Sequence, residues 1–307
     1  MTFEVGSNLT EVGSSAFSYS SIVTISFPPS LATLGTRAFS YASELVSVNF
    51  ADNSPLTTID VKTFYQCSGL QTISLSAQID TISTSAFEEC NDLKSVVFQN
   101  GTGSQLGLID ESAFSLSGLT SFSLPASVEN ISANAFLQCS SLMTFSISTD
   151  SLLKNIGETA FKESGIKIMN FPASLERIEM GAFETASSLT SVTFPSSGSK
   201  LEYIGQSAFR QTGFSSFAVP GSTQTIDEWA FYTDTTLTDF SLMDGCNSSI
   251  TFEANAFNGD TNLISISLPP TATCNNCGAD VQIMDCSPTA KTTFSPTTNA
   301  PSSVRAV

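Results

Sequence analysis

The chain has no histidine and only 13% charged residues, with 11 Lys and Arg set against 28 Asp and Glu. The first absence excludes Ser-His-Asp and Cys-His catalysis, and with them every metal site that needs an imidazole. The shortage of cations excludes more. A formal charge of −17 and a pI near 4.1 repel phosphate backbones and anionic headgroups, so nucleic acid is not an expected partner. No run approaches the roughly 18 apolar residues of a spanning helix, so no membrane insertion by this chain is expected. The opening MTFEVGSNLTEVGSS also lacks the basic start and apolar run of a signal peptide.

What the chain has in quantity is phenylalanine, 24 residues of it, together with Ser and Thr. Aligned on a recurring Ala-Phe pair, Phe falls at 17, 39, 64, 87, 114, 136, 161, 183, 209, 231 and 257, with Thr63 replacing Ala once. The 240 residues from Phe17 to Phe257 make ten intervals averaging 24, inside the range of repeats that stack into solenoids. Intervals of 22–23 alternate with 25–27, so two coils form the larger unit. Five residues before each Phe stands an apolar residue (Val12, Leu34, Ile59 and so on to Phe252), and a mostly aliphatic column precedes it by three more, Thr223 and Ser249 excepted. After the Phe comes L-x-x-h-x-h, as in Leu45 to Phe50 and Leu189 to Phe194, whose period of two predicts a strand with one buried face. Pro28, Pro125, Pro172, Pro195, Pro220 and Pro269 close several of these strands.

Gly, Asp or Ser stands four residues before nearly every Phe, Glu179 and Glu253 being the exceptions. Such residues cap helical turns, so a short helical or 3₁₀ turn through Ala-Phe is expected. The chain begins within a coil, at Thr2-Phe3-Glu4-Val5, and reads as a fragment. These columns, with an I-G-x-x-A-F type run followed by C-S-S-L as in Ile131–Phe136 and Cys139–Leu142, resemble the BspA-type leucine-rich repeat family over about residues 3–270. The resemblance implies an α/β repeat solenoid: a curved right-handed stack of about eleven coils, a parallel sheet on its concave face, and helical turns and loops on its convex face. It also implies a surface protein of the kind that attaches to host molecules or other cells, extracellular or on the cell surface. The expected organisation is a solenoid over 1–270 and a Cys-containing, Ser/Thr/Pro-rich segment over 271–307.

The expected ligand surface is the outward side of the strands. Its flanking residues are Thr24/Ser26, Ser47/Asn49, Thr72/Ser74, Ser95/Val97, Ser121/Ser123, Thr144/Ser146, Ile168/Asn170, Ser191/Thr193, Ser216/Ala218, Asp239/Ser241 and Ser265/Ser267. Sixteen of these 22 are Ser or Thr and only Asp239 is charged, so charge has been kept off this face. Small hydroxyls also suit a crowded sheet by β propensity alone. As a ligand surface it would meet a protein or glycan through many weak contacts. The alternatives are a structural spacer, a receptor-like ectodomain fragment and, more remotely, an ice-binding ladder.

No catalytic residue, cofactor or metal is expected. Carboxylate pairs such as Asp110/Glu111, Asp227/Glu228 and Glu88/Glu89 fall at capping or solvated positions, not in a cleft. Cys67, Cys90 and Cys139 share a column three residues after the Phe that otherwise takes Ser, Ala or Thr, and read as small buried hydrophobes; a Cys67–Cys90 disulfide is the alternative. Cys246, Cys274, Cys277 and Cys286 cluster near the end of the repeats and suit disulfides in an exported chain, with zinc as the weaker reading. N-x-[ST] sequons at Asn8, Asn100, Asn130 and Asn247 fit glycosylation.

Overall fold

The computed structural model describes residues 7–51, 53–99, 103–243 and 250–263, with the backbone of 265–267 and 273–274. Each coil carries two strands. A two-residue strand ends at the apolar residue five before the Phe, as in Glu11–Val12, Thr58–Ile59 and Asn130–Ile131. A longer strand of three or four residues follows the Phe, as in Thr24–Ser26, Thr72–Leu75 and Ser121–Leu124. Every pairing is parallel and in register, so like positions stack on like.

The short strands form a two-stranded sheet, Glu11–Val12 with Thr33–Leu34, and a ten-stranded sheet from Thr58–Ile59 to Thr273–Cys274. The long strands form a ribbon that breaks into sheets of 4, 2, 2 and 3 strands. The breaks have a cause in sequence spacing. From spine Phe to strand centre there are nine residues in most coils (Phe87 to Val96, Phe136 to Phe145) but eight after Phe17, whose strand opens the ribbon, and after Phe114, Phe161 and Phe209. The last three strands reached by the shorter path, Ser121–Leu124, Ile168–Asn170 and Ser216–Val219, are those at which pairing with the preceding coil is lost. Each of these three paths runs through a glycine pressed on the coil before it, Gly118, Gly165 or Gly213. A Cβ on Gly118 would lie 1.8 Å from the Asn91 carbonyl oxygen, and one on Gly165 2.2 Å from that of Ser140.

The core is one continuous file of aromatic and aliphatic side chains. Ten successive stacks join all eleven spine rings, with centroids 5.0–5.6 Å apart and planes within 16°. Rings from the long strands meet this file edge-on, as Phe145 meets Phe161 at 4.9 Å and 79°. Offset and edge-to-face contacts of this kind add to the stabilisation from burial. No coil could bury its ring alone, so stability resides in the stacking.

The expected helical turn is absent, and no described residue is in an α-helix. Through Ala-Phe the backbone makes linked β-turns with left-handed residues two before and two after each Phe, for example Asn134 (φ 58°) and Gln138 (φ 55°). Its amides alternate in direction. Those of Ala135, Leu137 and Cys139 bond three residues back, to Ser132, Asn134 and Phe136. Those of Asn134, Phe136 and Gln138 reach Glu158, Ala160 and Lys162 of the next coil at 2.8–2.9 Å. A single helical turn would leave most of its amides and carbonyls unpaired, whereas a neighbouring coil offers partners. Left-handed non-glycine residues cost on the order of 1 kcal/mol each, and the inter-coil bonds offset that.

Candidate functional site

The ribbon positions its side chains by alternation. In the long strands whose side chains are described the central residue points inward, buried at Ile25, Val48, Ile73, Val96, Phe122, Phe145, Met169, Phe217 and Phe240 and half-buried at Val192. Its two neighbours therefore face out, and every one of them whose side chain is described is exposed or half-buried. Register turns them into columns: Thr24, Ser47, Thr72 and Ser95 stand side by side, as do Ser26, Asn49 and Ser74. Ser121 pairs with Thr144, Ser123 with Ser146, Asn170 with Thr193, and Ser216 with Asp239. The backbones of Ser265 and Ser267 continue the columns beside Asp239 and Ser241; their side chains lie outside the described residues. Two columns are cross-linked, by Asn49 Nδ2 donating to Ser26 Oγ (3.2 Å) and Thr193 Oγ1 donating to Asn170 Oδ1 (2.6 Å).

The face is less purely hydroxylic than the sequence suggests. Val97 and Ile168 are 52% and 53% exposed at two of the breaks, and Val23 (51%) and Met143 (49%) emerge one residue before their strands. Val23 and Met143 escape the strand pattern because they follow the last inward residue, Ile22 or Leu142, where no period constrains orientation. Four apolar tips on a neutral ribbon add the desolvating contacts that hydroxyls lack.

Charge is concentrated off the ribbon, in the short strands and the turns. Asp60, Asp110 and Asp227 each accept the next residue's amide at 2.6–2.8 Å, and a donor from the coil before: Thr36, Thr84 and the Tyr203 hydroxyl respectively. They tie turns together and cap no helix. Glu184 takes both Lys162 (2.8 Å) and Arg210 (3.2 Å). Among the described residues no three acidic, Cys or His side chains converge to hold a metal, and no helix is long and apolar enough to cross a membrane.

Cys67, Cys90 and Cys139 are free, buried thiols, each donating to a spine carbonyl (Phe39, Phe64 and Phe114) at 3.0–3.1 Å. Burial pushes Cys67 up to about 12 and Cys139 to about 11, and raises Cys90 too. In this structure Cys67 and Cys90 are free thiols and not the alternative disulfide. The same column holds a feature the sequence pattern hides. Asp234, fully buried, accepts from Thr212 (2.5 Å) and Thr236 (3.2 Å), and Asp260 in the next coil accepts the Asp234 amide (2.7 Å). Burial raises Asp234 to about 7 and Asp260 to about 9. Asn8 and Asn130 are exposed. Asn100, Asn247, Cys246, Cys277, Cys286 and the Cys274 side chain lie outside the described residues.

Parallel coils of about 24 residues stacked on an inward aromatic spine, with one ribbon of outward strand residues, define a leucine-rich-repeat solenoid. The chain belongs to the BspA type leucine rich repeat region family, whose repeat matches residues 1–108, 107–238 and 199–280 in 6 copies. No curated relative matches it. Its structure is similar to a leucine-rich repeat protein from Bacteroides ovatus, with a TM-score of 0.59 at 19% identity, over 83% of this chain and 85% of that one. Weaker likenesses join it to the pneumococcal vaccine antigen PcpA (TM-score 0.45, 20% identity, 88% of this chain and 72% of that one). A leucine rich cell surface protein from Faecalibacterium prausnitzii gives a TM-score of 0.40 at 19% identity, over 76% and 83% of the two chains.

Proposed function

We propose that the chain is a non-catalytic binding or adhesion module, extracellular or at a cell surface, that presents the ribbon of long strands to a protein or glycan ligand. Residues 1–270 carry the ligand surface, and 271–307 form a Cys-containing C-terminal segment. One observation carries the reading: across successive coils the outward positions stand in register and nearly uncharged, on a chain whose net charge is −17. Stability does not require that neutrality, because outward positions are solvated and tolerate charge within about 0.5 kcal/mol. A ligand that must shed water along the ribbon does favour it. Single contacts are weak here, and repetition across coils supplies avidity. The three breaks weigh against an ice-binding role, which needs one flat, unbroken hydroxyl array.

The test replaces Ser121, Thr144 and Ser191 by lysine, three exposed or half-buried positions in one column. Attachment of the purified chain to cells or immobilised extracellular-matrix protein should be lost while the unfolding midpoint is unchanged. A matched control places lysines at Glu111, Glu158 and Glu228 on the turn side, which changes more charge and should leave attachment intact. Attachment that survives the ribbon triple and fails in the turn-side triple would assign binding to the other face.

A further inference from the structure

We propose that a second binding site, separate from the ribbon, lies at the corner of the first four coils and takes a neutral saccharide. The site is a groove of about 340 Å³ lined chiefly by Tyr19, Tyr41, Ser43, Gln66, Glu89 and Asn91. That volume is at the small end of ligand pockets, suited to one or two sugar rings and too small for a folded partner.

The groove is built by one column, the left-handed residue two after each spine Phe: Tyr19, Tyr41, Gln66, Glu89, then Leu116, Gln138, Glu163, Thr185, Gln211 and Thr233. The fold does not require an aromatic residue there, since later coils place Gln, Glu or Thr at the same backbone angle. In the first two coils the tyrosines stack at 4.6 Å with planes 3° apart. Tyr19 is 72% exposed and Tyr41 37%, so this ring ladder is solvated where the Phe ladder is buried. A bulky residue at positive φ is strained, and little burial rewards it here.

The lining selects the ligand. A tyrosine face attracts another apolar face or a cation. Anions are disfavoured by Glu89 and by the chain's charge of −17. Glu89 is held by donors of its own, Oε2 by Gln66 Nε2 (2.8 Å) and Oε1 by the Tyr65 hydroxyl (3.4 Å), so a cation gains less there than at a bare carboxylate. The adjoining Tyr65 ring already carries Lys62 Nζ at 4.9 Å. What fits is an uncharged molecule with one apolar face and hydroxyls at its edge. A pyranose packs its C–H face against the exposed surface of the Tyr19–Tyr41 pair, in which Tyr19 covers one face of Tyr41 and Tyr65 meets it at 5.4 Å and 83°, and offers its hydroxyls to Gln66 Oε1, whose amide nitrogen is committed to Glu89 and Tyr65. Asn91 and Ser43 line the same space.

The experiment uses the full chain and neutral trisaccharides built from glucose, galactose, mannose or N-acetylglucosamine, with choline and a sulfated disaccharide alongside. Binding is read by saturation-transfer NMR and calorimetry. At least one neutral sugar should bind in the millimolar range. Tyr41→Ala should weaken it by about tenfold or more, whereas Tyr41→Phe, which keeps the ring, should stay within about threefold. Gln66→Ala should weaken it as well. Circular dichroism should be unchanged, because these side chains are solvated or half-buried. The site is overturned if no neutral sugar binds, if binding survives the Tyr19→Ala/Tyr41→Ala double variant, or if choline or the sulfated disaccharide binds better than every neutral sugar. The ribbon reading stands or falls separately, since no residue is shared.

Discussion

The middle coils and the end coils share the same columns but not the same chemistry. Phe136 has a ring above and below it, Phe114 at 5.3 Å and Phe161 at 5.1 Å, and two long-strand rings against its edges. Among the described residues Phe17 has one stacked neighbour, Phe39, and it is half-buried. Three residues after the Phe, coils in the first half hold Cys67, Cys90 and Cys139, small thiols satisfied by one carbonyl each. The last coils hold Asp234 and Asp260 at that position. A thiol enters an apolar column at little cost, while a carboxylate enters only by giving up its charge or by drawing in donors. The interior of the repeat is thus uniform in shape and not in its response to pH.

The contrast in packing yields the largest expected effect. Phe136→Ala should lower the unfolding free energy by about 3–5 kcal/mol in a denaturant titration. Phe17→Ala should cost under about 2 kcal/mol, because Phe17 is only half-buried and less area is lost. Equal losses at the two positions would contradict a stack held by nearest-neighbour contacts.

The contrast in chemistry yields the next. Asp234 and Asp260 titrate higher in the folded chain than free carboxylates do, so folding favours their protonated forms. Their contribution is fully present below the ordinary carboxylate range and is lost as pH rises through about 7 for Asp234 and about 9 for Asp260. Thr212 and Thr236 donate to Asp234, the other Asp260 oxygen has no partner, and no ion pair among the described residues involves either carboxylate. Hydrogen exchange at the Phe231 and Phe257 amides should show the last coils loosening between pH 5 and 9 while those around Phe114 hold. Asp234→Asn should stabilise the end by about 1–3 kcal/mol at pH 8 and by little at pH 5. Protection that is flat across that range, after correction for intrinsic exchange, would refute the assignment.

The smallest effect concerns the thiols and leaves stability untouched. With Cys67 near 12 and Cys139 near 11, little thiolate forms at pH 8, and the sulfurs are enclosed. Iodoacetamide should modify Cys67, Cys90 and Cys139 more than about a hundredfold faster in denaturant than in the native chain. Rapid native labelling of all three would reject the buried column.

The sequence by itself determined the period, the aromatic spine, the inward and outward residues of the long strands, the small buried column and the family. Each of these is a periodic demand of burial, and periodicity survives in one dimension: Phe must recur where the coil recurs, and period two must alternate faces. Only the tertiary structure decided what happens between coils. The turn at Ala-Phe reads as a capped helix because Gly, Asp and Ser serve both kinds of turn; only a neighbouring coil's carbonyls draw the amides of residues such as Asn134 and Gln138 outward. The eight-residue path through Gly118 is visible as one missing residue, but that it breaks the ladder depends on where the Asn91 carbonyl lies. Tyr19 and Tyr41 are 22 residues apart in the chain and 4.6 Å apart across a coil boundary. Asp234 and Asp260 likewise look like surface carboxylates until stacking encloses them. A position's character follows from its own coil, but its chemistry follows from the coil beside it, which linear spacing does not specify.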